Sequence, residues 1–176
     1  MATRREVLQG LILSLGGASA LTACGGMARV LSTAPGTTPR FYTDAERTLV
    51  ARISDLILPR TETPGALDVN VPGYLDGLMS DWASRETRDN HRRELARLDG
   101  QLAARAGGDF RSVSEASAEQ ALSALDQDAF GDGDDLAGYR RLKGFITQAY
   151  FATEDGATEE LKWVGVPGRW DPSVRI

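Results

Sequence analysis

The sequence predicts a mainly α protein, with about five helices in one compact domain followed by an irregular, aromatic C-terminal tail. Three observations carry this reading. Apolar residues recur at three- and four-residue spacing in successive stretches. Helix-start and helix-stop residues bracket those stretches, and no stretch of the middle alternates apolar and polar residues as a half-buried strand would. At 176 residues the chain holds one ordinary domain, and its 41% hydrophobic content suits a globular protein.

The chain opens on Thr3-Arg4-Arg5-Glu6-Val7-Leu8-Gln9, followed by an uncharged run from Gly10 to Ala23. This is the layout of a secretory signal. The run is shorter than the ~20 apolar residues of a membrane-crossing helix, and Gly16-Gly17 weakens it further as a span. Arg4 and Arg5, with apolar Val7 two positions on, resemble the twin-arginine motif, whose transporter accepts cargo already folded in the cytoplasm. Leu21-Thr22-Ala23-Cys24-Gly25 resembles a bacterial lipobox, in which Cys24 becomes the lipidated first residue of the mature protein.

The expected organisation is therefore a twin-arginine lipoprotein signal over 1–23, a flexible tether over 24–40 and a helical domain over 41–176. The expected location is the periplasm, with the protein held at the membrane through Cys24. Removing 1–23 leaves 18 basic and 24 acidic residues, a net charge of −6, which argues against a nucleic-acid partner. The single Cys excludes an intramolecular disulfide, so packing must hold the domain together.

Thr43-Asp44-Ala45-Glu46 is a capping box, and Phe41 or Tyr42 before it can supply a hydrophobic staple. Leu49, Val50, Ile53, Leu56 and Ile57 continue it as a first helix until Pro59 breaks the run. Pro59 to Asn70, with Pro64 and Gly65, reads as a turn region or loop. Pro72 suits the first turn of a second helix, whose stripe is Leu75, Leu78, Met79 and Trp82. A third helix runs from Arg85 to Ala106, with His91, Leu95, Leu98 and Leu102 on one face, and stops at Gly107-Gly108. Ser117-Ala118-Glu119-Gln120 is a second capping box and predicts a short helix bearing Leu122 and Leu125. Asp134 or Asp135 near a start, then Leu136, Tyr139, Leu142, Ile146, Ala149 and Tyr150, make the last helix. Gly156 to Ile176 follows neither period and is expected to pack as an extended tail. Its Trp163 and Trp170 have two open roles, as anchors on a partner surface or as cover for the protein's own core.

Little in these residues points to catalysis. Nucleophilic catalysis needs a nucleophile, a base and an orienting group, and His91 is the one imidazole in the chain. On an apolar stripe beside Arg88, Arg92 and Arg93 it reads as a packed or helix-surface residue. One His and one leader Cys serve a zinc site poorly. Asp126, Asp128 and Gly131 match part of a calcium loop, but Phe130 and Ala137 stand where further oxygen ligands are needed. Gly131 and Gly133 run into Asp134-Asp135-Leu136 without the spacing of a phosphate loop. No catalytic, cofactor-binding or metal residue is therefore expected in this chain.

Phe41-Tyr42-Thr43-Asp44-Ala45-Glu46, through Leu56-Ile57-Leu58-Pro59 to Thr61-Glu62-Thr63-Pro64-Gly65-Ala66, is informative as a unit. It resembles the gluconate 2-dehydrogenase subunit 3 family, small subunits of membrane-associated flavoprotein dehydrogenases of the glucose-methanol-choline class. Tyr150-Phe151-Ala152-Thr153-Glu154-Asp155-Gly156 and Trp163-Val164-Gly165-Val166-Pro167-Gly168 are similar to that family's closing segment, so the resemblance covers about Phe41 to Arg169. Leu58 stands where the family pattern has Ile, and the lipobox departs from the plainer leaders of many members.

The resemblance implies a non-catalytic companion of a large FAD-bearing subunit that oxidises sugars, sugar acids or other alcohols, with a multihaem cytochrome c as a further partner. FAD and the catalytic base belong to that large subunit, and haem c to the cytochrome. The small subunit would bind its partner, assist its maturation and lend it a twin-arginine signal. Pro59, Pro64, Gly65, Ala66, Trp163 and Trp170 are the expected partner interface, because rigid loop residues and aromatic anchors resist a purely solvated role. The competing readings are a stand-alone envelope lipoprotein that binds a small molecule or envelope partner, and a hydrolase built on His91.

Overall fold

The capping box at Thr43 opens the first helix, α1 (Asp44–Ile57). The Glu46 N–H donates to Thr43 Oγ1 (3.2 Å) and the Thr43 N–H donates to Glu46 Oε2 (2.7 Å), so two end donors are satisfied at once. Leu49, Val50 and Ile53 are its buried face, and the helix stops one residue before the Leu58-Pro59 step, as the sequence predicts. The computed structural model describes residues 40–131, 136–164 and 168. Arg4, Arg5, Cys24, Asp134, Asp135 and Trp170 lie outside the described residues.

Pro72 sits in the first turn of α2 (Val71–Asp81), as expected. Trp82, expected on the buried stripe, is instead 61% exposed. The helix ends at Asp81, and Trp82 follows as its C-cap, beyond the turn that packs. The third helix, α3 (Arg85–Ala106), has the bounds read from the sequence, with Ser84 Oγ accepting from the Thr87 N–H (3.1 Å) and Gly107 in the left-handed region at its end. The fourth, α4 (Glu115–Phe130), starts earlier than the second capping box suggests. Ser114, not Ser117, is its N-cap, because the Ser117 N–H donates to Ser114 Oγ (3.3 Å) and Glu115 then occupies the first turn, where the helix dipole favours a carboxylate. With that extra turn it is 16 residues long rather than short.

The fifth helix, α5 (Ala137–Phe151), has Leu136 at its N-cap with no side-chain capping bond. It is the central element, packing against α2, α3 and α4, while α1 packs against α2 and α4. No strand occurs among the described residues. The core where these faces meet includes Leu49, Ile53, Leu75, Met79, Leu102, Phe110, Leu125 and Ile146, all essentially inaccessible, each worth roughly 1.5–3 kcal/mol of burial. Arg52 reaches from α1 to donate to the Val113 carbonyl (2.6 Å) and lies over the Phe110 ring, tying the α3–α4 connection to the core. Only 156–164 and 168 of the tail are described, and its first residues differ from the expected extended segment. After α5 the chain makes one π-helical turn over Gly156–Glu160 before it becomes irregular.

Candidate functional site

Two places in the fold gather the residues that the sequence singles out, and they differ in character. The first is a buried polar node where the chain enters the domain. Asp76, in the middle of α2 and 2% exposed, accepts from three backbone N–H groups: Arg40 on Oδ2 (2.8 Å), and Phe41 and Tyr42 on Oδ1 (2.9 Å each). Arg92 of α3 donates to the Phe41 carbonyl (2.6 Å) with its guanidinium 4.4 Å from the centre of the Phe41 ring. The Arg40 guanidinium holds both carboxylate oxygens of Asp81 at 2.9 Å. The entering segment is thus more than a staple for α1, since its backbone is capped by a carboxylate from the next helix.

His91 completes this node. It is 6% exposed, and its Nε2 shares a 2.8 Å hydrogen bond with the Tyr42 hydroxyl. Burial pushes its pKa below the usual histidine value and outweighs the neighbouring carboxylates Glu94 and Glu46, while Arg141 adds to the lowering. Burial also pushes the Tyr42 hydroxyl upward, with Asp76 and then Glu46 adding to the shift, so the phenol stays protonated. A small cleft of about 160 Å³ lies beside His91, lined by Thr87, Asn90, Glu94, Arg141 and Phe145. Buried and hydrogen-bonded to the Tyr42 hydroxyl, the imidazole is arranged as a packed histidine. Among the described residues no group of three His, Cys, Asp or Glu side chains could hold a metal ion.

The second place is where the Pro59–Asn70 loop meets the turn after α5. The Tyr150 hydroxyl donates to the Pro64 carbonyl (2.7 Å), and Thr63 Oγ1 donates to Glu160 Oε2 (2.7 Å), joining segments 97 residues apart. The loop and the tail, expected separately as interface, are therefore neighbours. Gly65 permits this loop, because a Cβ there would stand 2.6 Å from the Arg60 nitrogen and 2.8 Å from the Pro59 carbonyl carbon. Gly156 permits the turn, since a Cβ would collide with the Tyr150 carbonyl. Thr153 Oγ1, donating to the Tyr150 carbonyl (2.6 Å) and accepting from the Gly156 N–H (3.1 Å), holds it closed.

The expected interface residues fare unequally here. Pro59 is exposed and Pro64 half-buried, whereas Gly65 and Ala66 are buried, Ala66 completely. Gly65 and Ala66 thus shape the loop from within. Trp163 is 62% exposed, with its backbone N–H donating to the Ala157 carbonyl (2.9 Å). Leu67, Leu161 and Val164, which the sequence reading did not single out, are exposed on the same two segments. A shallow cleft of about 320 Å³ lies between Val69, Asn70 and Tyr74 on one side and Ala152, Thr153, Glu154 and Asp155 on the other.

Comparison with protein families decides what this architecture is. The family model described as gluconate 2-dehydrogenase subunit 3 matches residues 44–168. The chain belongs to the gluconate 2-dehydrogenase subunit 3 family. The matched span runs from the first residue of α1 through the turn after α5, so it takes in all five helices, the Pro59–Asn70 loop and Trp163, and lies inside the span over which the sequence resembles the family. No curated protein and no solved structure matches the chain. Membership in a family of dehydrogenase subunits makes the question of contacts with other chains the relevant one, and among the described residues no helix is long and apolar enough to cross a membrane.

Proposed function

We propose that this member of the gluconate 2-dehydrogenase subunit 3 family is the non-catalytic small subunit of a membrane-associated, FAD-dependent dehydrogenase acting on a sugar, sugar acid or alcohol. It binds a large glucose-methanol-choline type flavoprotein, assists its maturation and carries it out of the cytoplasm on its own twin-arginine signal. FAD resides in the large subunit, and a multihaem cytochrome c is the natural electron acceptor. The observation that carries the reading is the exposed apolar surface on the joined loop and tail, inside the family-matched span. Solvated, it lowers the solubility of a small subunit; covered by a partner, it contributes binding.

Fractionation of cells, probing for both chains, tests this. Replacing Arg4 and Arg5 together by Lys should leave both this chain and the flavoprotein in the cytoplasm, because a folded pair shares one signal. Cys24→Ser should export both but release them from the membrane, since acyl chains supply the anchor. A flavoprotein still exported when the Arg pair is replaced overturns shared export, and a chain that never associates with a flavoprotein leaves the stand-alone lipoprotein as the reading.

A further inference from the structure

Resting on that accessory-subunit reading, we propose that Leu67, Leu161, Trp163 and Val164 are the apolar centre of the docking surface for the flavoprotein, and that the acidic rim around them selects a partner face bearing Arg and Lys. The described residues expose six large hydrophobic side chains, and these four fall on the two segments that Thr63–Glu160 and Tyr150–Pro64 fasten together. The other two are separate. Phe130 has the Lys143 ammonium 5.0 Å from its ring centre, and Trp82 closes α2. Single exposed apolar residues are ordinary on any surface, whereas Leu161, Trp163 and Val164 exposed within four residues, on a segment fastened to the loop that exposes Leu67, mark a contact.

The charge of this surface states the chemistry of its occupant. Residues 59–70 and 152–164 carry Glu62, Asp68, Glu154, Asp155, Glu159 and Glu160 against Arg60 and Lys162, and Arg60 is already paired with Asp68. Glu154, Asp155, Glu159 and Glu160 lie within one stretch of seven residues, and Thr63 holds Glu160 against the loop. The Tyr150 hydroxyl is pushed upward by burial and then, against a lowering contact with Thr63, by the fields of Glu160, Asp155 and Glu159 together. Such crowding is repulsive in the free subunit and is relieved by cationic side chains around an apolar recess, which gives orientation and rate as well as affinity. It also disfavours an anionic lipid surface. The turn is held by Thr153 and the close approach at Gly156, so the anchors are presented with little ordering left to do on binding.

The experiment uses the full chain, tagged and expressed in its own cells, and reads protein-bound flavin and dehydrogenase activity recovered per tagged chain. Leu161→Ser with Trp163→Ser, and separately Glu154→Lys with Glu159→Lys, should each lower recovery about tenfold, the loss of a single good anchor or charge set. Trp82→Ser and Phe130→Ser should stay near the wild type. Wild-type recovery should fall between about 0.05 and 0.5 M salt as the rim is screened, and the Lys pair should flatten that fall. Circular dichroism and thermal melting of each variant separate lost docking from lost folding. If the wild type recovers no flavoprotein, the accessory-subunit reading fails. If it does and the patch variants recover as much, that reading stands and this docking surface is overturned. Unchanged recovery with the Lys pair alone overturns the cationic partner face. Vesicles of phosphatidylglycerol that bind the wild type but not the Ser pair would overturn the protein partner in favour of a membrane.

Discussion

The entry node and the loop–tail surface are built from the same kinds of residue, aromatics and carboxylates, and do opposite things. At the entry node Phe41, Tyr42 and His91 are buried and Asp76 is surrounded by donors, so each polar atom named there stabilises the fold. At the loop–tail surface Trp163 is mostly exposed, and Glu154, Asp155, Glu159 and Glu160 follow one another within seven residues. The difference teaches that an aromatic or acidic residue is a structural part where its partners lie within the chain, and an available contact where they do not.

The sharpest way to break that comparison is at Asp76. Asp76→Ala leaves three backbone N–H groups without their acceptor and should cost about 3 kcal/mol or more, while Asp76→Asn, which keeps one carbonyl oxygen, should cost roughly half as much. Urea unfolding followed by circular dichroism measures both, and a cost for the Ala variant below about 1 kcal/mol would show that water replaces the carboxylate and the node is not structural.

Next in size are the two glycines that let the loop and tail meet. Gly65→Ala and Gly156→Ala should each destabilise by about 1–3 kcal/mol, because the new methyl group meets backbone that cannot move aside freely. Both should also weaken recovery of flavoprotein although neither residue is on the outer surface. Normal recovery at reduced stability would separate the joined geometry from docking.

His91 sharpens the comparison through pH. Its folded pKa lies below the ordinary value of 6.5, so the unfolded chain takes up the proton first as pH falls. Its contribution is fully present above about pH 6.5 and is lost progressively below it, toward the folded pKa. As His91 is the only histidine, melting temperature should drop between about pH 7.5 and 5.5 in the wild type and drop less in His91→Gln. Equal slopes would mean the imidazole is free to ionise in place.

The smallest expected effect completes the contrast. Leu161→Ser and Trp163→Ser should change stability by no more than about 0.5 kcal/mol, as surface substitutions do. A loss comparable with that of Asp76→Ala would make the tail a structural part and erase the distinction between the two regions.

Much of the fold was legible because its signals are local. Thr43 and Glu46 form their capping box within four residues, Gly107 stops α3 by its left-handed conformation, and the stripes of α1, α3 and α5 need only the helical period. The start of α4 is not fixed locally, because Ser114 and Ser117 both suit an N-cap and only the packed helix chooses between them. Asp76 carries one local signal: it lies four residues after Pro72 and three before Met79, so a carboxylate stands on the buried, otherwise apolar face of the helix, which requires buried donors.

By itself, then, the sequence determined the helices, the proline and glycine breaks between them and the family resemblance, because capping, periodicity and backbone restriction act over a few residues. Only the tertiary structure decided that Asp76 caps the entering chain across 34 to 36 residues, that Thr63 reaches Glu160 across 97, and that Ala66 is sealed inside while Trp163 remains outside. Burial and hydrogen-bond partnership are properties of what surrounds a side chain, and for these residues the surroundings come from distant parts of the chain.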